Sequence, residues 1–514
     1  MRTIQTEILI VGSGFGAAAP ALRLAEAGHH VTLVEKGPPL DPMKDFRMTQ
    51  DPHYVTRYLK SLHGEHLGLT YAEALGGGSG FYEMVSLRAP SIAFDQVDQN
   101  GRRLWPGSVD RRTLDPHYDT ADEMLRVEQI RAHEVPRNGL LFAQMMRNLG
   151  YSCERAPYAV RNCMGSGYCV TGCVFGAKQS LLLNYLPQAV AAGVQVETDL
   201  EALEVMPLGR VEATPPAGLL RGLPYRYAVR CRQLGGAREE IRYEAKVLIL
   251  AAGTVGTARL LLRSRSRLPL LSSQLGANVA FNGSVKVAGI MPDSLPEGDL
   301  YVGRSHAGMI SYEFLASHGI SIAAVKPLPL QILSSARLTL EREPASDYWG
   351  ETNVELMRRL RHRCMVLVAL GMTPPVGRIA QTGDGFEARL ELDDALRQYY
   401  RETQEVMHSI LRRNGCRIVD AAFVDRDGSP YRDIHFSSAH QVGSCRMAYA
   451  KRDGVVDPDG AVFDYPGLFV SDGSTIPTSL AVNTAHTILA NAERIAEGIR
   501  KRCAEQQRAT VVTN

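Results

Sequence analysis

Three features of the sequence predict an α/β fold joined to an α+β part. The first is a strand–turn–helix–strand unit at the N-terminus, "EILIVGSGFGAAAPALRLAEAGHHVTLVEKG". The second is a pair of later apolar strands closed by small or acidic residues, "KVLILAAGTVGTARLLLRS" (246–264) and "GLFVSDGSTIP" (467–477). The third is a central stretch where shorter strands and one long amphipathic helix replace the βα rhythm. The expected architecture is a Rossmann-like, three-layer dinucleotide-binding domain and a substrate domain built on an antiparallel sheet with helices. The first is discontinuous, over residues 1–40, 76–90, 161–284 and 440–514; the second takes 41–75, 91–160 and 285–439, including a lid.

At the N-terminus, Ile8 to Val11 is the continuous apolar run of a buried parallel strand. Gly12, Gly14 and Ala17 follow in G-x-G-x-x-A spacing, and a helix extends to about Ala27, where Gly28 stops it. Val31 to Val34 is the next strand, ending at Glu35. Each part has a chemical reason. Gly12 makes the tight turn, while Ser13 and Gly14 bring backbone close to a pyrophosphate. The helix N-terminus offers free N–H groups and a positive dipole end to that anion. Glu35 can accept hydrogen bonds from ribose hydroxyls. FAD and NAD share this fingerprint, so it does not choose between them.

"ALGGGSGFYEM" (74–84) is a second glycine cluster. Gly76, Gly77 and Gly78 would admit a bulky flat group close to the backbone. Asp472 and Gly473 close the strand of 467–477, where open α/β sheets bind ligands and where an acid can hold ribityl hydroxyls.

In the substrate part, "CMVLVALG" (364–371) and "FEARLEL" (386–392) read as strands. Residues 393–415 form a helix with Leu396, Tyr399, Thr403, Val406 and Ile410 on one side, and Gly415 ends it. "EATPPAGLLRGLPY" (212–225) is expected to be a loop within a hairpin. "HGEHLGLTYAE" (63–73) has two histidines around Glu65 but no further ligand nearby, and reads as a polar lid or loop.

Composition excludes several classes. With 57 basic against 55 acidic residues and no basic block, nucleic acid and membrane-surface binding have no electrostatic support. The longest apolar run, at 247–258, is too short to span a membrane. Nine cysteines, an odd number in a large chain, point to a reducing compartment, the cytoplasm.

"HQVGSCRM" (440–447) places one histidine among small residues, with no second histidine or carboxylate in the eight. Further on, Asn483 and Thr484 precede an amphipathic helix, "TAHTILANAERIAEGI". With the N-terminal fingerprint, "GGGSGFYEMVSLRAP", "WPGSVDRRTLDPHYDTADEMLRV" and "LFVSDGSTIPTSLAVNTAHTILANAERIAEGI", these segments are collinear with one family. From residue 7 to about 500 the chain resembles the glucose–methanol–choline (GMC) oxidoreductases. Within that family, "CVTGCVFGAKQSLLLNYLPQA" looks most like the sterol oxidase and long-chain alcohol oxidase branch.

The resemblance implies FAD as cofactor and an alcohol as substrate, oxidised at CH–OH to an aldehyde or ketone. It makes His440 the base that takes the hydroxyl proton while hydride passes to flavin N5, and Asn483 the second group on the substrate oxygen. A histidine in that role is expected to titrate at about 6 to 8. Gly77, Ser79, Asp472, Gly473 and Thr484 join Gly12, Ser13, Gly14 and Glu35 as the implied FAD contacts. Electrons would pass to O2 or another acceptor, and the apolar lid segments lean towards a lipophilic or aromatic alcohol. The same fold also hosts FAD lyases, a light-driven decarboxylase and FAD subunits of electron-transfer dehydrogenases. One departure stands out: where the family carries an asparagine, this chain has Tyr82, followed by Glu83.

"NCMGSGYCVTGC" gives Cys163, Cys169 and Cys173. Three thiolates suit a [3Fe–4S] cluster, and similar spacing occurs in sugar dehydrogenases of the family. The expectation is nevertheless reduced structural thiols and no metal site, with the cluster, a disulfide, or zinc with outside help as the alternatives.

Overall fold

The computed structural model describes residues 2–49, 51–211, 220, 223–236, 239–326, 337–341, 350–383, 385–422 and 433–512. Two seven-stranded sheets dominate it. Across the first, the strand order is Gln195–Glu197, Val31–Val34, Arg2–Val11, Glu240–Leu250, Tyr225–Gln233 and Leu200–Val211. The first four of these are parallel and the last two antiparallel. Strand Glu240–Leu250 changes partner along its length. Its first half pairs with Tyr225–Gln233, while Leu248 to Leu250 pair in parallel with Leu468–Val470. That is how the ends and the middle of the chain meet in one sheet. Ile8, Leu9, Ile10, Leu248, Ile249 and Leu250 are all fully buried, which is why these segments are continuous apolar runs and do not alternate.

Helices Tyr185–Ala191, Phe15–Glu26, Ala485–Val512 and Arg111–Leu125 pack side by side in that order. Pro20 lies inside the second of them and leaves the Gly16 carbonyl without its i+4 donor. Ser471 Oγ fills that gap with a 2.7 Å hydrogen bond, so the C-terminal strand end repairs the N-terminal helix.

The second sheet is antiparallel throughout, in the order Arg337–Leu340, Arg417–Ala422, Val285–Ile290, Cys364–Gly371, Ile320–Val325, His306–Ser311 and Glu154–Arg155. Cys364–Gly371 coincides with the strand expected from sequence. The long helix runs Asp394–Arg413, capped by Asp393, which accepts the Leu396 N–H at 2.8 Å. The strand expected over 386–392 is shorter, Gly385–Arg389, and forms a separate hairpin with Arg378–Thr382.

Residues 63–73 correct the sequence reading. They contribute to a three-stranded sheet of Leu59–His63, Leu67–Ala72 and Phe436–Ser438, not a polar loop. Leu67 and Leu69 are fully buried; their period-2 face was hidden among the histidines and Glu65. Most of the loop expected over 212–225 lies outside the described residues. Among the described residues no helix is long and apolar enough to cross a membrane.

Candidate active site

A cavity of about 980 Å³ is lined by residues of both sheets. This is at the upper end of the roughly 300–1,000 Å³ typical of ligand pockets. One end is built by the glycine turns. Gly12 has φ +102°, and a Cβ there would lie 2.4 Å from the Ala251 carbonyl oxygen, so only glycine fits. Gly77 has φ +53°, and its Cβ would lie 2.9 Å from Gly14 Cα. The two glycine segments therefore touch backbone to backbone. Ser13 locks them: its hydroxyl donates to Glu35 Oε2 at 2.6 Å and accepts the Gly76 N–H at 2.9 Å. Glu35 Oε1 accepts from Gly37 N–H at 2.8 Å. Burial pushes the Glu35 carboxyl up to about 7 despite these donors.

Of the nine residues expected to contact the cofactor, Gly12, Ser13, Gly14, Glu35, Gly77, Asp472, Gly473 and Thr484 line this cavity. Ser79 does not. It is fully buried behind the wall, donating to Gly76 O at 2.7 Å and accepting the Leu181 N–H at 3.2 Å. Its hydroxyl is spent on shaping the glycine turn. Asp472 accepts from Gly253 N–H (2.8 Å), Thr257 Oγ (2.5 Å) and Ser474 N–H (2.8 Å). It thus ties its own turn to the helix Gly253–Arg263, and burial raises its pKa.

His440 and Asn483 meet at the cavity wall, with Asn483 Nδ2 3.0 Å from His440 Nε2. The small residues after His440 have a packing cause. Val442 exchanges backbone hydrogen bonds with Ala280, while the N–H groups of Gly443, Cys445 and Met447 donate to the carbonyls of Gly473, Ser474 and Thr475 at 2.9 Å each. A Cβ on Gly443 would lie 2.0 Å from the Asn278 carbonyl. Cys445 is a buried filler whose thiol burial pushes up to about 12. On the other side, Asn282 holds the turn before Asn483. Its Oδ1 accepts the N–H groups of Leu480 (2.7 Å) and Ala481 (3.1 Å), and its Nδ2 donates to Val482 O (2.7 Å). Ala481 sits at φ +56°, a left-handed conformation that a non-glycine residue keeps only when its surroundings hold it there.

The expected near-neutral His440 is corrected. Burial, and then the Lys286 ammonium, push it down to about 4. His306 is lowered to about 4 as well, by burial and then by His440, and its Nδ1 lies 2.5 Å from the Tyr158 hydroxyl. His486 stands apart, with Nε2 2.9 Å from Asp122 Oδ1, and does not line the cavity.

Tyr82 and Glu83 both reach the cavity. Tyr82 packs edge-on against Phe15 at 5.3 Å and donates to Gln179 O at 3.1 Å. Burial raises the Glu83 carboxyl against the pull of Lys286, Lys178 and Lys326. Lys178 Nζ donates to the carbonyls of Gly80 (2.8 Å), Tyr82 (2.9 Å) and Cys169 (2.6 Å), pinning the second glycine segment to the cysteine loop. Cys163, Cys169 and Cys173 are free thiols beside a gap of about 20 Å³. That is room for about one water, far less than an iron–sulfur cluster. Among the described residues no group of three or more His, Cys, Asp or Glu is arranged to hold a metal. Ser166, Tyr168 and Thr171 of the same loop line the large cavity, so the loop forms part of its wall.

Sequence reasoning missed Lys286, Asn282 and Lys178. Lys286 did leave a mark, as the one charge within the strand "VKVAGI". Asn282 and Lys178 act through backbone partners far along the chain, which no spacing reveals.

The comparisons with known proteins show the family. Two GMC oxidoreductase family models match, over residues 6–279 and 386–492. A cholesterol oxidase from Mycobacterium tuberculosis is 26% identical, covering 95% of this chain and 90% of its own. A long-chain-alcohol oxidase from Arabidopsis thaliana is 24% identical, covering 97% and 68%. The crystal structure of pyridoxine 4-oxidase from Mesorbium loti superposes with a TM-score of 0.67 at 17% identity, covering 96% of this chain and 99% of that one. The chain belongs to the GMC oxidoreductase family.

Proposed function

We propose that this enzyme oxidises the CH–OH group of an apolar alcohol to a carbonyl, with FAD held in the large cavity. FAD is the cofactor of GMC oxidoreductases. The residues fit it: a glycine turn at a helix N-terminus for the pyrophosphate, Glu35 for a ribose, and a second glycine segment that leaves open space beside Gly78. When bound, FAD supplies the hydride acceptor.

The observation that carries the reading is the His440–Asn483 pair on the wall of that same cavity. His440 takes the hydroxyl proton at Nε2, and Asn483 donates to the substrate oxygen without competing for the proton. The helix from Ala485 turns its positive end towards the same place. Ala288, Ala323, Val325, Val366, Val368 and Leu370 give the substrate side an apolar wall, which suits a lipophilic or aromatic body. O2 or another acceptor would reoxidise the flavin. We place the protein in the cytoplasm, where its nine free thiols would stay reduced. We also propose that the two sheets mark the two domains, divided near the boundaries read from sequence.

The test is an anaerobic screen of alcohols on the purified yellow protein. Bleaching of the flavin supports alcohol oxidation. A flavin that stays oxidised while substrate is cleaved would make the protein a lyase.

A further inference from the structure

We infer that the alcohol carries a carboxylate on its apolar body, and that Lys286 binds that carboxylate and so selects the substrate. The inference rests on the alcohol-oxidising reading for the hydroxyl end and adds the anion.

Strand Val285–Ile290 lies inside the antiparallel sheet, paired on both sides. Lys286 stands opposite Val368, whose other neighbour is Ala323. The surrounding face is apolar, and Lys286 is the only Lys, Arg, Asp or Glu that the described strands of this sheet put on the cavity wall. Its side chain is open to the cavity yet deep within the protein, and burial lowers its pKa.

The other interior lysines are satisfied by backbone. Lys178 donates to three carbonyls, Lys326 to Gly303 O at 2.6 Å and Lys246 to Leu220 O at 2.7 Å. Lys286 has no hydrogen-bond acceptor and no carboxylate within 4 Å among the described residues. Its one favourable ionic neighbour is Glu83. That carboxyl is shared with Lys178 and Lys326, so three ammonium groups face one carboxylate. Arg304, next to Tyr158, already faces Glu134 at 3.6 Å. Exposed to the cavity, this ammonium loses its water when an apolar substrate fills the space, which is costly unless a ligand oxygen takes the water's place. An acid or ester oxygen would do so chemically, but only an anion also offsets the excess positive charge.

The placement has a consequence for the reaction. Lys286 is the charge that depresses His440. A substrate carboxylate on Lys286 would offset that part of the lowering, with burial still in place, and so raise the basicity of His440 as the substrate binds. The carboxylate itself is unchanged; the hydroxyl proton goes to His440 and the carbinol hydride, with its electron pair, to FAD.

The experiment uses the holoenzyme under anaerobic conditions, with binding followed by perturbation of the flavin spectrum. Octanoate should bind about tenfold or more tightly than octanamide, as expected for a charge-assisted contact. K286M should erase that difference and K286R should keep it. Among 2-, 3- and 8-hydroxyoctanoate, at least one should exceed 1-octanol in kcat/KM, and K286M should cut that ratio by about tenfold or more. Equal binding of octanoate and octanamide to the wild type, or an equal loss of both in K286M, would overturn the inference. Flavin bleaching by neutral alcohols alongside such equal binding would leave the alcohol-oxidising reading standing. Lys286-dependent octanoate binding with no alcohol bleaching the flavin would sink that reading and keep the anion site.

Discussion

Asn483 Nδ2 lies 3.0 Å from His440 Nε2. An amide nitrogen only donates, so the ring nitrogen accepts, and in the neutral ring the proton sits on Nδ1. The lone pair that would take a substrate proton is therefore already on Nε2, where Asn483 also points. His440→Ala should retain FAD and slow anaerobic flavin reduction by roughly 10² to 10⁴. Asn483→Ala removes one hydrogen bond and leaves the base, so about tenfold is expected. Stopped-flow reduction measures both. An unchanged rate in His440→Ala with full FAD content would move the base elsewhere.

The second prediction is a pH profile. His440 must be neutral to act, and its pKa is pushed down to about 4 by burial and then by Lys286. For a base whose pKa is lowered, the active form persists at all higher pH and is lost only as pH falls through the lowered value. Flavin reduction should thus be flat from about pH 6 to 8 and fall towards pH 4, where an unperturbed histidine would already show its step near 6.5. K286M removes the cation and should move the midpoint upwards. His306 and Glu83 share the same cavity, so the shift is read as the difference between K286M and wild type at constant ionic strength. A midpoint near 6.5 in both proteins would contradict the argument.

Glycines near the nucleotide end separate fold from cofactor. A Cβ at Gly12 would meet backbone at 2.4 Å with φ +102°, whereas one at Gly78 meets nothing within 4 Å. Gly12→Ala should therefore destabilise the fold by roughly 1 to 3 kcal/mol or more, the cost of a strained site, and so lower Tm markedly. Gly78→Ala should leave the apoprotein's Tm unchanged and weaken FAD binding, because its space is the cofactor's. Melting curves of apoprotein with FAD titrations decide. Tight FAD binding by Gly78→Ala would place the isoalloxazine elsewhere.

Legibility in the sequence followed the range of the interactions. The nucleotide end was readable because Gly12, Gly14 and Glu35 act within one βα unit, where period and spacing carry the chemistry. Cys364–Gly371 was readable because a strand buried on both faces must be apolar throughout. His440 and Asn483 were singled out by resemblance, yet 43 residues separate them and only the fold brings them into contact. The His440 pKa was misjudged because Lys286 lies 154 positions away (440 − 286) and leaves no local pattern. Ser79 was misplaced for the opposite reason. Its neighbours are the glycines of the motif, but its side chain turns behind them to Gly76 O.

The last prediction concerns Asn282, which touches no reacting atom. It spends both amide atoms on Leu480, Ala481 and Val482, and Ser321 Oγ adds a bond to Ala481 O at 2.5 Å. These bonds hold Ala481 at φ +56° and so aim Asn483, two residues on, at His440. Asn282→Ala would strand two buried N–H groups and one carbonyl, at about 1 to 3 kcal/mol for each group left unsatisfied. The turn should relax, because only the Ser321 bond then opposes the strain of Ala481. Flavin reduction should slow about 10- to 100-fold, the range expected when a reacting group is misplaced by about 1 Å. Its pH midpoint should stay where it is, since no charge near His440 has changed. Asn282→Asp keeps the two acceptor bonds and should recover part of the rate. A merely structural role would give a lower Tm in Asn282→Ala with an undiminished reduction rate, and that result would remove Asn282 from the positioning of Asn483.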